Sequence, residues 1–369
     1  MKAELGKRLV ADLLKWSPST ATREFPWLKT LVEYKYDHYQ GYRPGSRFFV
    51  NFLAWLAQFK PHDRDVAYRF IKEHLIFFSQ REINHLIGLT FPRLQRENRH
   101  AVGVELGMPL YSTWGNPQAE RRVQELSIRT LYVGLSDGAR TDILRRYNEG
   151  FISNEQIVAA PEISDGKWKK LCEKLALSLS ANLQSEIHPT FERICLVDDF
   201  TASGTTLIRF EKGEWGGKIP TFIEDLKARL GRQVGNNVVI QIHHYIGTNK
   251  ARETIQRALE TYLLTFQTLK VVVTFSMIID DRYVIDDMSP KDIVSLIREY
   301  YGSSCETNHT GKNIWFGYKQ CGLPLVLEHN TPNNSIALLW AAGKLDENLH
   351  LMKPLFPRKQ RHLDHGQSV

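Results

Sequence analysis

The spacing of apolar residues changes part of the way along this chain of 369 residues. Up to about residue 115, apolar positions recur every three or four residues, as in LGKRLVADLLKW, SRFFVNFLAWLAQF and RDVAYRFIKEHLIFF. This spacing is typical of amphipathic helices, and no alternating pattern of a half-buried strand interrupts it. The front of the chain is therefore predicted to be helical almost throughout.

From about residue 128 the pattern becomes strand, loop and helix. Apolar runs predict strands at 129–135, 193–199, 237–245, 269–278 and 323–329. Stretches with helical spacing separate most of them, at 166–185, 219–230, 249–264 and 290–301. Apolar strands that alternate with helices indicate a mainly parallel sheet covered on both faces. The predicted class is α/β, preceded by an all-helical N-terminal domain, and ligands are expected beyond the carboxyl ends of the strands.

The change of pattern divides the chain into three predicted parts. Residues 1–115 are predicted to form a helical domain that binds DNA or a partner protein. Residues 116–345 are predicted to form the α/β domain, and residues 346–369 a basic C-terminal tail. The length of the chain is sufficient for two ordinary domains.

A capping box marks a corner within the helical part. Ser79 and Glu82 in the sequence SQRE predict a helix that begins at Ser79, directly after a helix that ends near Phe78. Such a tight corner is compatible with a helix-turn-helix or winged-helix-like unit. Four polar side chains would then face DNA: Gln80, Arg81, Asn84 and His85. A plain helical bundle with a solvated polar face is the alternative, and it is favoured because helical corners are common.

Composition excludes some classes of protein. A hydrophobic content of 42% with 24% charged residues is that of a soluble globular chain, and no apolar run approaches the roughly 20 residues that cross a bilayer. The amphipathic N-terminus does not resemble a signal peptide, so a cytoplasmic location without membrane contact is predicted. Four scattered cysteines favour neither a zinc site nor a disulfide framework. The net charge of +7 favours polyanions such as nucleic acid or phosphorylated ligands.

The segment ICLVDDFTASGTTL contains the candidate chemistry. An apolar strand ends in Asp198 and Asp199, and a loop of small and hydroxyl residues follows. Consecutive backbone N–H groups at the start of a short helix beginning at Leu207 would form an anion nest. The loop residues predicted to bind the anion are Thr201, Ala202, Ser203, Gly204, Thr205 and Thr206. Neither a Walker P-loop nor a GxGxxG pattern is present.

The two aspartates restrict what else the ligand carries. Carboxylates beside a bare phosphate would repel it, so the ligand must also have hydroxyls or a bridging cation. A ribose 5-phosphate unit meets both demands. Its phosphate would enter the loop, and its 2- and 3-hydroxyls would donate to Asp198 and Asp199.

The same segment resembles the phosphoribosyl-pyrophosphate signature of type I phosphoribosyltransferases, with an apolar strand, two acids, a small-residue loop, a glycine and hydroxyls. Phe200 and Thr201 depart from the two aliphatic residues that the family usually has after the acid pair. The resemblance covers about residues 125–340. It implies that phosphoribosyl pyrophosphate binds here with Mg²⁺ that is carried mainly by the substrate, and that no dedicated metal site is needed.

The family also has a pyrophosphate loop after the first strand of the sheet. The sequence GLSDGAR occupies that place, one crossover before the acid pair. The resemblance assigns the pyrophosphate to Ser136, Asp137, Gly138, Ala139 and Arg140. Backbone donors and a fixed cation suit a departing pyrophosphate, so Arg140 is expected to act in catalysis together with Asp198 and Asp199.

A narrower resemblance extends over nearly the whole chain. The helical front half, the three-glycine insertion IRFEKGEWGGKIPTF and the segment EHNTPNNSIALLW are similar to phosphoribosyltransferase-like effectors of bacterial anti-phage systems, including retron-associated ones. The resemblance implies glycosyl transfer or cleavage of a nucleotide N-glycosidic bond. It also implies nucleic acid or a reverse transcriptase as a partner of the helical half, and a homo-oligomer is compatible with it. The alternative is a non-catalytic regulator that senses phosphoribosyl pyrophosphate and binds DNA.

Three further motifs allow more than one interpretation. Asn333 and Asn334 are favoured as a turn over a base or ribose clamp. His243 and His244 are neighbours on a strand and face opposite ways, which argues against a shared metal. The acidic run 278–288 is favoured as a solvated loop over a metal site.

Overall fold

The computed structural model describes residues 3–41, 48–183, 188–264, 269–306, 311–343 and 352–358. The chain divides into two compact units, one made of Met1–Glu82 with Asp280–Val369 and the other of Ile83–Ile279. The bounds of these units differ from the predicted domain bounds at residues 115 and 345. The functions assigned to those predicted domains stay predictions. Most of the predicted tail 346–369 lies outside the described residues.

The patterns located helices and strands with small shifts at their ends. The α-helices are α1 (Ala3–Leu14), α2 (Pro18–Tyr34), α3 (Phe48–Ala57), α4 (Arg64–His74), α5 (Gln80–Gly88), α6 (Thr90–Glu105), α7 (Pro117–Ile128), α8 (Thr141–Tyr147), α9 (Asp165–Leu183), α10 (Lys218–Lys227), α11 (Asn249–Leu263), α12 (Lys291–Glu299) and α13 (Ala337–Trp340). The strands are β1 (Ile76–Phe78), β2 (Thr130–Gly134), β3 (Ile157–Val158), β4 (Phe191–Thr201), β5 (Arg209–Glu211), β6 (Glu214–Gly216), β7 (Val234–Thr248), β8 (Lys270–Ile279) and β9 (Leu325–Leu327). The α/β class with a helical N-terminal region is confirmed.

The unit of residues 83–279 is built on a five-stranded sheet in the order β3-β2-β4-β7-β8. Every neighbouring pair in this sheet is parallel, which confirms the predicted parallel architecture. Leu196 and Ile242 lie on one face, in a core with Leu175 of α9, Ile223 of α10 and Ile255 of α11. Because alternate residues of a strand face opposite sides, the polar residues near the ends of β4 and β7 are distributed over both faces.

The central strand β4 extends beyond its predicted end at residue 199. Asp198 is in register with His244 of β7, and Thr201 is in register with Gly247. The acid pair, predicted as the last two residues of this strand, therefore lies within its paired part. The reason is the length of β7, which gives β4 a hydrogen-bonding partner for two residues past the acids.

The other unit is mainly helical, with an aromatic core that includes Tyr36, Phe48, Phe52 and Trp55. The helical pattern predicted through residue 78 ends at His74. Residues 76–78 instead form β1, which pairs in parallel with β9. The predicted strand at 323–329 thus belongs to this two-stranded sheet and not to the large one. The short apolar run before Ser79 suits a helix or a strand equally well, so its pattern does not distinguish the two.

The capping box is confirmed, whereas the tight helical corner is wrong. The backbone N–H of Ser79 donates to Oε2 of Glu82 at 2.8 Å, that of Glu82 donates to Oγ of Ser79 at 3.4 Å, and α5 begins at Gln80. Strand β1 separates α4 from α5, so the short turn that joins the helices of a helix-turn-helix is missing here. Binding of DNA by this region stays a prediction.

The segment with Asn333 and Asn334 forms a turn, as favoured. The backbone N–H of Tyr318 donates to the carbonyl of Asn333 at 2.7 Å, and Nδ2 of Asn334 donates to the carbonyl of Tyr318 at 3.2 Å. In the acidic run 278–288, the aspartates are exposed, as expected of a solvated loop. No helix in the described part of the chain is both long and apolar enough to span a membrane.

Candidate functional site

The carboxylate of Asp198 is buried beside donors from three directions. Asp198 is only 5% exposed. Oδ1 accepts from the hydroxyl of Ser136 and from the backbone N–H of Asp199 at 3.1 Å, and Oδ2 accepts from Nζ of Lys218 at 2.9 Å. Burial raises the pKa of Asp198 and the charge of Asp199 raises it further, while Lys218 and Ser136 oppose that shift. Asp198 is thus an acid whose charge depends on its neighbours.

The loop after β2 carries its own hydrogen-bond network. Oγ of Ser136 accepts from the N–H of Gly138 at 3.1 Å, and the carbonyl of Ser136 accepts from the N–H of Ala139 at 3.0 Å. The N–H of Arg140 donates to the carbonyl of Asp137 at 3.4 Å. Three backbone donors expected to bind pyrophosphate are therefore engaged within the loop. Arg140, in a left-handed conformation with φ of 44°, contributes the positive charge of this loop.

Asp199 of β4 meets the loop 136–140 at Gly138. A Cβ atom on Gly138 would lie 2.4 Å from Cγ of Asp199, so the carboxylate packs directly against the glycine backbone. Oδ1 of Asp199 also accepts from the N–H of Phe200 at 2.8 Å. The structure thus brings together the acid pair and the loop 136–140, as the sequence predicted.

The small-residue loop after β4 has no helix at its end. The N–H groups of Leu207 and Ile208 both donate to the carbonyl of Gly204, at 3.0 and 3.3 Å, and a turn results. The predicted helix at Leu207 is wrong because the insertion that follows forms the antiparallel hairpin β5–β6. The next helix along the chain, α10, begins only at Lys218.

The same loop nevertheless presents a run of backbone donors. Within the described residues, no acceptor is found for the N–H groups of Ser203, Gly204, Thr205 and Thr206. Gly204 has a φ of +76°, a conformation in which successive N–H groups can turn toward one anion. The backbone donors that an anion nest requires thus lie in the loop itself and not at a helix start, and anion binding stays a prediction.

Neighbouring elements fix the position of this loop. The hydroxyl of Thr248 at the end of β7 donates to the carbonyl of Ala202 at 2.7 Å. A Cβ on Gly204 would lie 2.9 Å from Cγ1 of Ile255 and 3.1 Å from the carbonyl of Ala251, both in α11. Thr201 is buried in β4, whereas Thr206 is exposed. The loop thus packs closely on α11 and has access to solvent at Thr206.

Two residues of this site carry no recognisable signal in the sequence. Lys218 lies twenty positions beyond Asp198, within the three-glycine insertion, and its contact with Asp198 is visible only in the structure. Tyr245 on β7 is fully buried, and its hydroxyl donates to the carbonyl of Ala139 at 2.5 Å. Tyr245 therefore anchors the loop 136–140 to β7.

His243 and His244 have different surroundings, as their adjacent positions on β7 predicted. Nδ1 of His243 is 2.9 Å from the hydroxyl of Thr274, and its Nε2 is 3.0 Å from that of Ser276. Neither ring nitrogen of His244 has a hydrogen-bond partner in the part of the chain that is described. Burial lowers the pKa of both histidines to about 3. In the part of the chain that the structure describes, no group of three or more His, Cys, Asp or Glu side chains is placed to hold a metal ion.

The two histidines give a matched test of buried polar groups. We expect His244→Leu to stabilise the protein by roughly 1–3 kcal/mol at neutral pH, because it removes two unsatisfied nitrogens. His243→Leu should destabilise it by a similar amount, since two hydroxyls lose a partner. Chemical denaturation of both variants checks the signs, and equal effects would contradict this assignment.

The pH dependence of the same variants follows from the lowered pKa. A histidine that folds in the neutral form loses stability as the pH falls below its unfolded pKa of ~6.5 and toward its folded value. Between pH 7 and 5, we expect each histidine to lower the free energy of unfolding by about 2 kcal/mol. His244→Leu should therefore gain more at pH 5 than at pH 7, and an equal gain at both pH values would contradict a neutral His244.

The protein is of the α/β class, with a parallel sheet whose central strand carries the buried Asp198 and the half-buried Asp199 beside a loop of backbone donors. The chain belongs to the PRTase-CE family, whose family model matches residues 52–358. This confirms the predicted phosphoribosyltransferase-type family. No curated protein and no solved structure matches the chain. The narrower similarity to anti-phage effectors stays a prediction.

Proposed function

We propose that this protein binds phosphoribosyl pyrophosphate, or a nucleotide with the same ribose 5-phosphate group, through the loop 201–206 and the acid pair. The observation that carries the proposal is the run of four backbone N–H groups, Ser203 to Thr206, that have no acceptor among the described residues. They lie directly after Asp198 and Asp199, whose carboxylates suit ribose hydroxyls. A phosphate site that follows two carboxylates along the chain suits a ligand with both a phosphate and hydroxyls, as in a ribose 5-phosphate.

The chemistry proposed for this site is displacement at C1 of the ribose. The bond from C1 to the pyrophosphate oxygen breaks, its electron pair leaves with pyrophosphate, and an oxocarbenium-like transition state results. A nucleophile then forms the new bond to C1 and loses its proton; a nucleobase, a nucleotide or water would fill this role. The guanidinium of Arg140, which a loop pinned by Tyr245 positions, would stabilise the departing charge.

Magnesium is proposed to arrive with the pyrophosphate, as the resemblance implies. Mg²⁺ usually keeps several waters and binds through one or two carboxylates together with substrate phosphates. The carboxylates of Asp198 and Asp199 are oxygen ligands of this type, so the residues present fit a substrate-borne ion. When bound, the ion would neutralise charge on the leaving group.

On the narrower resemblance, we propose that the protein is a cytoplasmic effector of an anti-phage system. Nucleic acid or a reverse transcriptase would be its partner, and a homo-oligomer is a further proposal. The alternative is a regulator that senses phosphoribosyl pyrophosphate and binds DNA. It is less well supported, because β1 replaces the tight turn that a helix-turn-helix requires between α4 and α5.

Calorimetric titration with three ligands tests the proposed binding site. Phosphoribosyl pyrophosphate with Mg²⁺ should bind most tightly, because it fills the phosphate loop, the acid pair and the loop 136–140 together. Ribose 5-phosphate should bind more weakly, and inorganic pyrophosphate should bind more weakly still. Equal affinity for pyrophosphate and for phosphoribosyl pyrophosphate would contradict recognition of the ribose.

A further inference from the structure

Lys218 connects the acid pair with solvent. Its Nζ lies 2.9 Å from Oδ2 of Asp198, and the two side chains are exposed to different extents, 29% for Lys218 and 7% for Asp198. The ammonium thus satisfies a buried carboxylate while part of its side chain stays accessible. An ion pair of this kind can open without unfolding the strand that carries the acid.

The backbone of Lys218 is tied to the anion loop. Its N–H donates to the carbonyl of Thr206 at 3.2 Å, and the next N–H, of Ile219, donates to the carbonyl of Leu207 at 3.0 Å. Gly217 has a φ of +111°, and a Cβ there would lie 2.5 Å from the carbonyl of Leu207. Gly217 therefore allows the chain to pass close to the backbone of Leu207 after the hairpin β5–β6. Lys218 therefore begins α10 directly against the loop with the four unsatisfied donors.

The oxygens of Asp198 already have three donors. These are the hydroxyl of Ser136, the N–H of Asp199 and the ammonium of Lys218. Asp198 is only 5% exposed, so a ribose hydroxyl that donates to it needs space that one of these three donors now fills. Lys218 is the donor with a long, flexible and partly exposed side chain, whereas the N–H of Asp199 is fixed in the strand.

We infer that Lys218 exchanges partners when a ligand binds, leaving Oδ2 of Asp198 for a ribose hydroxyl and pairing with the phosphate in the loop. This inference rests on the proposed function for the ribose and deepens it. A sugar phosphate gives both charged groups a new partner, because its hydroxyl donates to Asp198 and its phosphate pairs with Lys218. Free phosphate gives a new partner only to Lys218, so the carboxylate of Asp198 loses a donor without replacement. Lys218 is therefore a specificity-determining residue that favours sugar phosphates over inorganic phosphate.

Titration of inorganic phosphate, at fixed ionic strength, tests the exchange without any sugar ligand. In Asp198→Asn, the ammonium is released from its carboxylate, so phosphate should bind about tenfold more tightly than to the wild type. The gain should vanish in the Asp198→Asn/Lys218→Met double variant. Lys218→Arg should retain the exchange, because the cation is kept. An unchanged phosphate affinity in Asp198→Asn would overturn the inference.

Lys227→Met is the matched control, because Lys227 lies at the other end of α10 and pairs with Glu224. Its phosphate affinity should equal that of the wild type. Circular dichroism establishes that each variant is folded. If Asp198→Asn does not fold, Lys218→Met alone is decisive: weaker phosphate binding is expected, and an unchanged affinity would refute the exchange.

The inference and the proposed function can fail separately. If phosphoribosyl pyrophosphate does not bind the wild type but phosphate gains affinity in Asp198→Asn, the partner exchange stands and the proposed ligand is wrong. If phosphoribosyl pyrophosphate binds and that gain is missing, the proposed function stands and the exchange is refuted.

Discussion

Replacing Gly138 by alanine is expected to weaken the binding of phosphoribosyl pyrophosphate with Mg²⁺ by at least about 100-fold. The new Cβ would lie 2.4 Å from Cγ of Asp199, a distance at which the carboxylate must move. A displaced carboxylate loses its hydrogen bonds to the ribose, and each bond to a charged group contributes roughly 1.5–3 kcal/mol. Gly138 does not have a positive φ, so the substitution adds no backbone strain. Calorimetric titration measures the loss.

Gly115→Ala provides the control for this substitution. Nothing lies within 4 Å of a Cβ at Gly115, so its ligand affinity should equal that of the wild type. The stability of Gly138→Ala should fall by about 1–3 kcal/mol from overpacking, which leaves the protein folded. Wild-type affinity in a folded Gly138→Ala would mean that Asp199 does not contact the ligand.

Replacing Gly204 by alanine should remove the phosphate site and destabilise the protein by about 2–4 kcal/mol. Two costs add here. The φ of +76° is strained for alanine, and the Cβ would lie 2.9 Å from Cγ1 of Ile255 and 3.1 Å from the carbonyl of Ala251. Because a carbonyl of α11 cannot easily retreat, the loop must shift, and its N–H groups move away from the proposed phosphate position. Denaturant unfolding and titration of inorganic phosphate measure the two effects.

Gly213→Ala separates strain from crowding. Gly213, at the turn of the hairpin β5–β6, has a similar φ of +85°, but nothing lies within 4 Å of its Cβ. Its substitution should cost only the strain, about 1 kcal/mol, and should leave phosphate binding unchanged. Equal destabilisation by Gly204→Ala and Gly213→Ala would show that the loop does not pack on α11 as described.

The parallel sheet and the acid pair were predictable because they depend on local pattern. The apolar run before Asp198 is continuous, as in a strand covered on both faces, and the small-residue loop follows at once. Likewise, Gly138 and Arg140 lie at the end of a predicted strand of the same sheet. Carboxyl ends of parallel strands lie at one edge, so the meeting of these two loops followed from the fold class.

Other parts of the structure depend on contacts that no local pattern encodes. The strands of the hairpin β5–β6 have three residues each, and all of β5 is exposed, so they are too short to show a recognisable apolar alternation. Strand β3 has only two residues, and β1 takes its conformation from pairing with β9, far along the chain. Lys218 and Tyr245 enter the site through tertiary contacts alone. The chemistry of the acid pair was thus foreseeable, whereas its counter-ion and the support of its neighbouring loop were not.

The most direct measurement is a calorimetric titration of phosphoribosyl pyrophosphate with Mg²⁺ into the wild type and into Asp198→Asn/Asp199→Asn. We expect binding to the wild type and a loss of more than about 100-fold in the double variant. The variant should remain folded. Burial raises the pKa of Asp198, so its ionised form lowers stability above the unfolded pKa, and the neutral amide avoids that cost at neutral pH. No binding to the wild type, or equal binding to both proteins, would contradict a ribose 5-phosphate site at the acid pair.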